Sequence, residues 1–398
     1  MNFLVLNWRD VLSPQAGGSE FQLQEILQRA VAAGHQVTMV ASHFAGCHSE
    51  DRAEADGVSI VRSGNWRVAN YTIPRAARKL AEQQHFDLVV DALTKLPFFA
   101  PLWFRETPIL GIAYHLFGAT LFKETDPLQA LYCLGFEALI PRVYRRTPLI
   151  AISESTRSVL IGRGIPAEQI QVVHCGHDAE RYRPLPGVRR EDPPLLIVVS
   201  RLKRYKCVDH PIRALPAIRA RVPGTRLVIA GSGDDRPRLE ALTKNLGLEE
   251  AVQFLGHVSE PEKVELYCRA RLFINTSHKE GWGLTSIEAN ACGTPVVAAD
   301  RPGLRDSVRK ETGALVPWGD INELAGAVIR LLEDKAQWRR LSRNAIQWAA
   351  RFSWDLCAAQ MLDYMEQAAA GARVLEPAAL QQDEPDFESS APKPAVQP

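Results

Sequence analysis

The sequence predicts an α/β protein built from two doubly wound domains. With 398 residues the chain exceeds one ordinary domain core, so two domains are expected. Short apolar runs of strand length alternate with helical segments along most of the chain, a pattern typical of βαβ units around parallel sheets. The alternation stops at residues 177–194, where the sequence HDAERYRPLPGVRREDPP is polar, charged and rich in proline.

The first domain is expected over residues 1–176. NFLVL at residues 2–6 predicts a strand, residues 19–33 predict a helix that ends at Gly34, and HQVTMVAS predicts the next strand. Four further strands are predicted at 58–61, 87–91, 109–114 and 149–153. Consecutive strand, helix and strand within about forty residues require a parallel sheet.

The second domain is expected over residues 195–352, after a linker at 177–194. Its strands are predicted at 195–200, 226–230, 252–255, 272–275 and 295–299, with helices between them. Ligands of such sheets bind beyond the carboxyl ends of the strands, so a cleft between the two domains is the expected site.

The C-terminal end of the chain divides into two parts. Residues 353–370 have the apolar content of a helix. Residues 371–398 turn to Pro, Ala, Gln, Asp, Glu and Ser, which predicts a disordered tail.

Composition excludes several classes of protein. A hydrophobic content of 46% and a charged content of 23% indicate a soluble globular protein, and a net charge of +1 gives no reason to expect nucleic acid as a partner. Seven cysteines without a C-x-x-C pair indicate reduced thiols, hence a cytoplasmic protein without a disulfide framework or zinc site. Neither a signal peptide nor an apolar run of membrane-spanning length is expected.

The stretch KEGWGLTSIEANACGTPVVAAD, residues 279–300, carries two glutamates eight residues apart, Glu280 and Glu288. One interpretation is structural: Thr285 caps a helix and Glu288 completes a capping box. That interpretation gives no purpose to Glu280 or to Trp282, which the sequence suggests is exposed. The other interpretation is a binding site for a ligand.

Three other loops follow predicted strands and precede helices. Gly17-Gly18, with Ser19 as a candidate cap, would let backbone N–H groups approach an anion. The loop 200–206 concentrates four cations, whose side chains suit phosphate oxygens. The loop AGSGDD at 230–235 contains two more glycines. A plain turn or a solvated basic loop is the alternative in each case, and none matches a dinucleotide or Walker A fingerprint.

Cations, glycine loops and carboxylates at one domain mouth suit a diphosphate flanked by hydroxyl-rich groups, as in a nucleotide-sugar. No acidic cluster suggests a metal site, so no metal and no other cofactor is expected. The cations themselves would neutralise a leaving diphosphate.

These residues resemble the retaining, GT-B-fold glycosyltransferases of family 4. The resemblance covers roughly residues 1–370. Its motifs are GGSE, the segment ISESTRSVLIGRGIPAEQIQVVHCGHD that closes the first domain, the Arg–four residues–Lys clamp in SRLKRYK, and EGWGLTSIEANACGTPVVA. It implies two Rossmann-like domains facing across a cleft and a C-terminal helix that crosses back to the first domain.

The resemblance also implies roles for particular residues. Arg201 and Lys206 would grip the donor diphosphate, Glu288 would accept hydrogen bonds from the ribose, and Glu280 would sit beside the transferred sugar. The resemblance implies that six further residues contact the donor through their backbone or line its binding site: Gly17, Gly18, Val258, Gly283, Leu284 and Thr285. His115 falls where the family often has a histidine near the sugar, and a core or capping histidine is the alternative.

Two departures from the family pattern lie beside the clamp. Ser200 and Cys207 stand where glycine is usual. Further along, Pro302-Gly303 and Asp306 replace a glycine pair and a glutamate, which leaves that wall of the site less defined.

The resulting functional hypothesis is a metal-independent enzyme that transfers a hexosyl unit from a UDP- or GDP-sugar to an acceptor hydroxyl, with retention of configuration. A nucleotide-sugar epimerase of the same fold and a catalytically lapsed nucleotide-binding subunit are the alternatives. A glycan, a lipid-linked molecule or a small molecule would be the acceptor. The aromatic runs LPFFAPLWF and LFGATLF are either core or a patch that meets the inner face of a membrane.

Overall fold

The computed structural model describes residues 1–47, 52–94, 96–114, 116, 118–123 and 126–378. The chain forms two compact units: one is Met1–Gly176 with the C-terminal segment that starts at Trp354, and the other is His177–Ser353. His115 lies outside the described residues, as do residues 379–398 of the predicted tail.

The first unit contains an eight-stranded sheet in the order β3-β4-β2-β1-β5-β6-β7-β8. Its strands are β1 Asn2–Leu6, β2 Gln36–His43, β3 Arg52–Ala55, β4 Val58–Asn65, β5 Leu88–Leu93, β6 Ile109–Ala113, β7 Leu149–Ala151 and β8 Ile170–Val172. Neighbouring strands run parallel except β3 and β4, an antiparallel hairpin at the edge that the sequence pattern did not predict. Its helices are α1 Gly18–Ala32, α2 Ala69–Ala81, α3 Ala100–Trp103, α4 Pro127–Val143 and α5 Glu154–Gly162.

The second unit contains a six-stranded parallel sheet in the order β11-β10-β9-β12-β13-β14. Its strands are β9 Leu195–Val199, β10 Arg226–Ala230, β11 Val252–Gly256, β12 Leu272–Asn275, β13 Val296–Ala299 and β14 Gly313–Val316. Its helices are α6 Asp209–Arg221, α7 Arg236–Asn245, α8 Glu260–Arg269, α9 Leu284–Ala291, α10 Leu304–Ser307, α11 Ile321–Glu333 and α12 Lys335–Ala349. The chain leaves β9 towards one edge and returns at β12 to build the other half, so the strand order reverses between these two strands.

The central strands are apolar along their whole length because helices cover both faces of each sheet. Every residue of β9 (LLIVV) and of β13 (VVAA) is buried. On one face of the second sheet, α6, α7, α11 and α12 contribute side chains to a single core with the strands. The burial holds the loops at the carboxyl ends of the strands on a rigid frame.

The segment 177–194, predicted as a linker, packs as part of the second unit. Arg190 donates hydrogen bonds to the carbonyl oxygens of Tyr267, Ala270, Cys292 and Gly293 and to the Thr294 hydroxyl. These bonds tie the segment to the end of α8 and the end of α9.

The C-terminal helix α13, Trp354–Ala369, belongs to the first unit, which confirms the expected crossing back. Residues beyond it are also ordered: Leu375 and Ala378 are buried, and the Leu375 carbonyl accepts a hydrogen bond from Gln171 at 2.7 Å. The prediction of a disordered tail from residue 371 is therefore wrong for residues 371–378.

Candidate active site

The four cations of the loop after β9 differ in their partners. Lys203 lies 2.8 Å from Asp234, and Arg204 lies 3.7 Å from Asp235. Arg201 is exposed, and its guanidinium donates to the Tyr205 hydroxyl at 3.0 Å. Among the described residues, no carboxylate lies within ion-pair distance of Arg201. Lys203 and Arg204 are thus paired with carboxylates of the fold. Arg201 retains N–H groups that can donate hydrogen bonds at the carboxyl end of the sheet.

The glycine loop at 230–235 packs against the backbone of this cation loop. A Cβ on Gly231 would come within 1.9 Å of the Ser200 carbonyl oxygen, and one on Gly233 would come within 2.1 Å of the Leu202 carbonyl oxygen. Backbone hydrogen bonds join Ser200 to Ala230 and Leu202 to Ser232. Close packing of two loops therefore accounts for these glycines, and no ligand is needed to explain them.

Lys206 and Glu280 form an ion pair with 2.5 Å between Nζ and Oε1, and both side chains are largely buried. They come from the loops after β9 and β12, the two strands between which the strand order reverses. Burial lowers the pKa of Lys206, but the Glu280 carboxylate and Tyr205 outweigh it and hold the pKa above the ordinary lysine value. Lys206 is consequently an ammonium ion at neutral pH.

The Glu280 loop is held in place by the segment that follows β13. The Glu280 amide points to the Pro302 carbonyl oxygen at 3.4 Å, and a Cβ on Gly303 would lie 2.4 Å from the Glu280 carbonyl oxygen. Asp306 accepts a hydrogen bond from the Gly303 amide. Pro302 and Gly303 thus contact the Glu280 loop directly, and Asp306 holds the backbone of Gly303.

Helix α9 begins at Leu284 with Gly283 as its N-cap, and no side chain caps it. Gly283 has φ +94°, and a Cβ there would meet the Ser307 hydroxyl at 2.7 Å. The capping box of Thr285 and Glu288 is therefore wrong. The half-buried Leu284 and Thr285 lie in the first turn, where helix N–H groups lack intrahelical acceptors and favour an anion.

Glu288 lies on the buried face of α9 and contacts α8. Its carboxylate accepts a hydrogen bond from the Tyr267 hydroxyl at 3.1 Å and lies 3.3 Å from Lys263 Nζ. Burial raises the pKa of Glu288, the Lys263 ammonium opposes the rise, and the Glu260 carboxylate adds to it. Sequence reasoning missed Lys263 and Tyr267. Their only signal was a four-residue spacing that puts both on one face of α8.

Trp282 is buried rather than exposed, contrary to the expectation from its loop position. Its ring packs edge-on against Phe352 with centroids 5.0 Å apart. Val258, implied at the base, is half-buried just beyond the carboxyl end of β11.

In the first unit, Gly17 is the N-cap of α1 and Gly18 its first residue, so the predicted cap at Ser19 is wrong. The Gly17 amide donates to the Glu20 carboxylate at 2.8 Å. A Cβ on Gly18 would meet no atom within 4 Å. The fold leaves space beside Gly18, but the Gly17 amide at this helix start already donates its hydrogen bond to Glu20.

The two aromatic runs are mostly core. Leu96, Phe98, Phe99, Phe104, Leu116 and Leu121 are buried, while Leu102 and Phe122 are exposed. Helix α4 carries a further group of exposed apolar side chains. Leu128 and Leu131 there are 80% and 58% exposed, and Tyr132 and Leu139 continue the same face. Among the described helices, none has both the length and the apolar character needed to cross a bilayer.

Comparison with known families matches both halves of the chain. The sequence model of glycosyltransferase family 4 matches residues 16–181, and that of the group 1 glycosyl transferases matches residues 186–348. The chain therefore belongs to the group 1 glycosyltransferases of the GT-B fold, as the motifs suggested.

Two curated relatives and two solved structures are similar. The GDP-mannose-dependent alpha-(1-6)-phosphatidylinositol monomannoside mannosyltransferase of Mycobacterium tuberculosis is 27% identical, with 88% of this chain and 95% of that protein covered. The D-inositol 3-phosphate glycosyltransferase of Thermobispora bispora is 34% identical, with 62% of this chain and 61% of that protein covered. The sucrose-phosphate synthase of Thermosynechococcus elongatus has a TM-score of 0.77 at 23% identity, covering 93% of this chain and all of that one. Anabaena Alr3699/HepE in complex with UDP-glucose has a TM-score of 0.72 at 21% identity, covering 92% of this chain and all of that one. At these identities the two structures show the fold.

Proposed function

We propose that this glycosyltransferase moves a hexosyl unit from a UDP- or GDP-sugar to an acceptor hydroxyl, with retention and without a metal. The observation that carries the proposal is the Lys206–Glu280 pair at the reversal of strand order, with the available guanidinium of Arg201 beside it. In open α/β sheets this crevice is where ligands bind.

Each side chain has a task in this proposal. Arg201 and Lys206 bind the diphosphate and stabilise the negative charge that develops as it leaves. The start of α9, at Leu284 and Thr285, faces the same group with unpaired backbone N–H donors. Glu288 accepts from the ribose hydroxyls.

Retention fits a front-face route better than a double displacement. Glu280 is an ion-paired carboxylate 2.5 Å from Lys206, which suits orientation of a sugar more than nucleophilic attack. The leaving phosphate would then help to accept the acceptor proton. NMR of the newly formed product tests retention itself, which both routes would give: an inverted anomeric centre contradicts the proposal.

Metal independence rests on the two cations, which supply the charge neutralisation that Mg²⁺ supplies elsewhere. Turnover should therefore survive EDTA within about twofold. Abolition by EDTA and recovery with Mg²⁺ or Mn²⁺ would contradict this part.

The donor is best identified by thermal shift with a panel of nucleotide-sugars, since a bound donor stabilises the folded protein according to its occupancy. The relative named as GDP-mannose-dependent makes GDP-mannose the first candidate, and UDP-glucose, bound in the HepE structure, the second. Arg201→Ala is the matched variant and should lose the shift. No shift with any donor contradicts the proposal. Products formed from donor alone would indicate an epimerase, and binding without turnover a lapsed subunit.

We further propose a cytoplasmic protein whose first unit meets the inner face of the membrane through α4, giving access to a lipid-linked acceptor. Support comes from the apolar exposed face of α4 and from Arg142, Arg145 and Arg146, which are exposed at its end. Vesicles with anionic lipid should co-sediment the protein, and Leu128→Asp with Leu131→Asp should release it. Equal sedimentation of that variant contradicts the contact.

A further inference from the structure

Lys263 holds a central place beside Glu288, and the proposed function gives it no task. Its ammonium lies 3.3 Å from Glu288 Oε2 and 3.0 Å from Glu260 Oε1. It also lies 5.1 Å from the centre of the Tyr182 ring, and the Tyr182 hydroxyl donates to Glu260. Glu260 and the ring hold Lys263 against Glu288.

The contacts at Glu288 fall unequally on its two carboxylate oxygens, and Oε1 has the fewer and longer ones. Tyr267 donates to Oε2, and Lys263 is closer to Oε2 than to Oε1, which is 3.5 Å away. An ionised carboxylate offers about four acceptor positions, whereas a protonated one loses part of that capacity and turns one oxygen into a donor. Hydroxyl groups of a ligand can therefore be bound well only while Glu288 stays ionised.

We propose that Lys263 is a positioning residue that keeps Glu288 ionised and oriented as the acceptor for a cis-diol, so that the site selects ribonucleotides over 2′-deoxyribonucleotides. The inference rests on the proposed function, because the diol is that of the donor ribose. Lys263 itself acts through Glu288 rather than on the ligand.

Isothermal titration with GDP, UDP and their 2′-deoxy forms tests the proposal. The wild type should prefer the ribo form of the nucleotide it binds by about tenfold or more, as expected for hydrogen bonds to a charged group. Lys263→Met should lose most of that preference, through weaker binding of the ribo form and little change for the deoxy form. Lys263→Arg should retain it, and Lys244→Met, at an exposed position on α7, should leave both affinities unchanged.

A pH series supplies a second readout. The groups that face Glu288 are Lys263, Glu260 and Tyr267 on α8, Tyr182 on the 177–194 segment, and Cys292 directly after α9. Without Lys263 the pKa of Glu288 rises further, so ribo binding by Lys263→Met should begin to fail at a higher pH than in the wild type as the solution is acidified. Glu260→Gln removes a charge that repels the Glu288 carboxylate, so binding of the ribo form by this variant should begin to fail at a lower pH than in the wild type.

The outcomes separate the two proposals. A folded Lys263→Met protein, checked by its thermal unfolding, that binds both forms like the wild type overturns the inference. An equal loss for the ribo and deoxy forms also overturns it, because it would mean a direct phosphate contact or a general structural role. A wild type that binds neither GDP nor UDP would overturn the proposed function instead, and this inference with it.

Discussion

The Lys206–Glu280 ion pair in the candidate site allows the charge of a side chain to be tested separately from its shape. Glu280→Gln keeps the shape of the side chain and removes its negative charge, while Arg201 and Lys206, which we propose bind the diphosphate, remain. We expect turnover to fall by about a hundredfold or more, as when a preorganised electrostatic group is removed, with donor affinity within about threefold of the wild type. Steady-state kinetics and donor titration measure the two quantities separately.

Glu250→Gln is the matched control for this prediction, because it makes the same change at an exposed position of the second unit, outside the loops of the candidate site. It should leave turnover nearly unchanged. Equal losses of turnover and affinity in Glu280→Gln would make Glu280 a binding residue only.

Cys207 adopts a backbone conformation that favours glycine, with φ +51° and ψ +40°. A residue with a Cβ pays about 1 kcal/mol or more for this left-handed region. We therefore expect Cys207→Gly to be more stable to urea than Cys207→Ala by about 1 kcal/mol, the reverse of their order in a helix. An alanine variant at least as stable as the glycine variant would contradict the strain.

At the scale of elements, packing between loops and strands explains features that look functional in one dimension. Gly231 and Gly233 resemble a ligand loop, yet each lies against a carbonyl oxygen of the cation loop. The pairing of Lys203 and Arg204 with Asp234 and Asp235 joins the same two loops. The two loops are therefore one structural element, and it positions Arg201.

A buried carboxylate joins β5 to α3 and α4 in the first unit. Asp91 accepts hydrogen bonds from the Tyr144 hydroxyl at 2.5 Å and the Ala100 amide at 2.9 Å. Burial raises its pKa from 3.8 to about 6 although these bonds lower it. The folded state therefore binds the proton more tightly than the unfolded state, and the stability that the proton confers is lost as pH rises from about 4 through 6.

Asp91→Asn should remove this dependence, since asparagine carries no titrating proton. The stability of the variant relative to the wild type should increase between pH 4 and pH 7 by on the order of 3 kcal/mol. Urea unfolding of both proteins at several pH values measures the difference. A difference that is constant with pH would contradict the raised pKa of Asp91.

At the scale of the whole molecule, the chain crosses between the units twice, and α13 completes the first one. Met361, Tyr364 and Met365 of α13 are buried, and Asp355 pairs with Arg29 of α1 at 2.7 Å. A chain that stops after Ser353 exposes this apolar surface. We expect it to lose cooperative unfolding of the first unit in calorimetry, whereas a chain that stops after Ala378 should keep it. A folded first unit in the shorter chain would contradict this role of α13.

Much of the fold follows from local pattern. The runs NFLVL and LLIVVS are strands because helices cover both faces of their sheets, and such strands are apolar throughout. The antiparallel β3–β4 hairpin escaped prediction because its first strand, RAEA, is short and polar. Strands could therefore be predicted from the sequence where the apolar run is long, and not where it is short and polar.

The candidate site divides in the same way. The α/β class, the family motifs and the cations and carboxylates of the second unit could all be predicted from the sequence, because residue type and spacing encode them. The folded chain was needed to show that Lys206 pairs with Glu280, that Gly283 rather than Thr285 is the N-cap of α9, and that Lys263 and Tyr267 contact Glu288. Those relations join residues far apart in the chain, and the physical reason they exist is the order of the strands, which no local pattern contains.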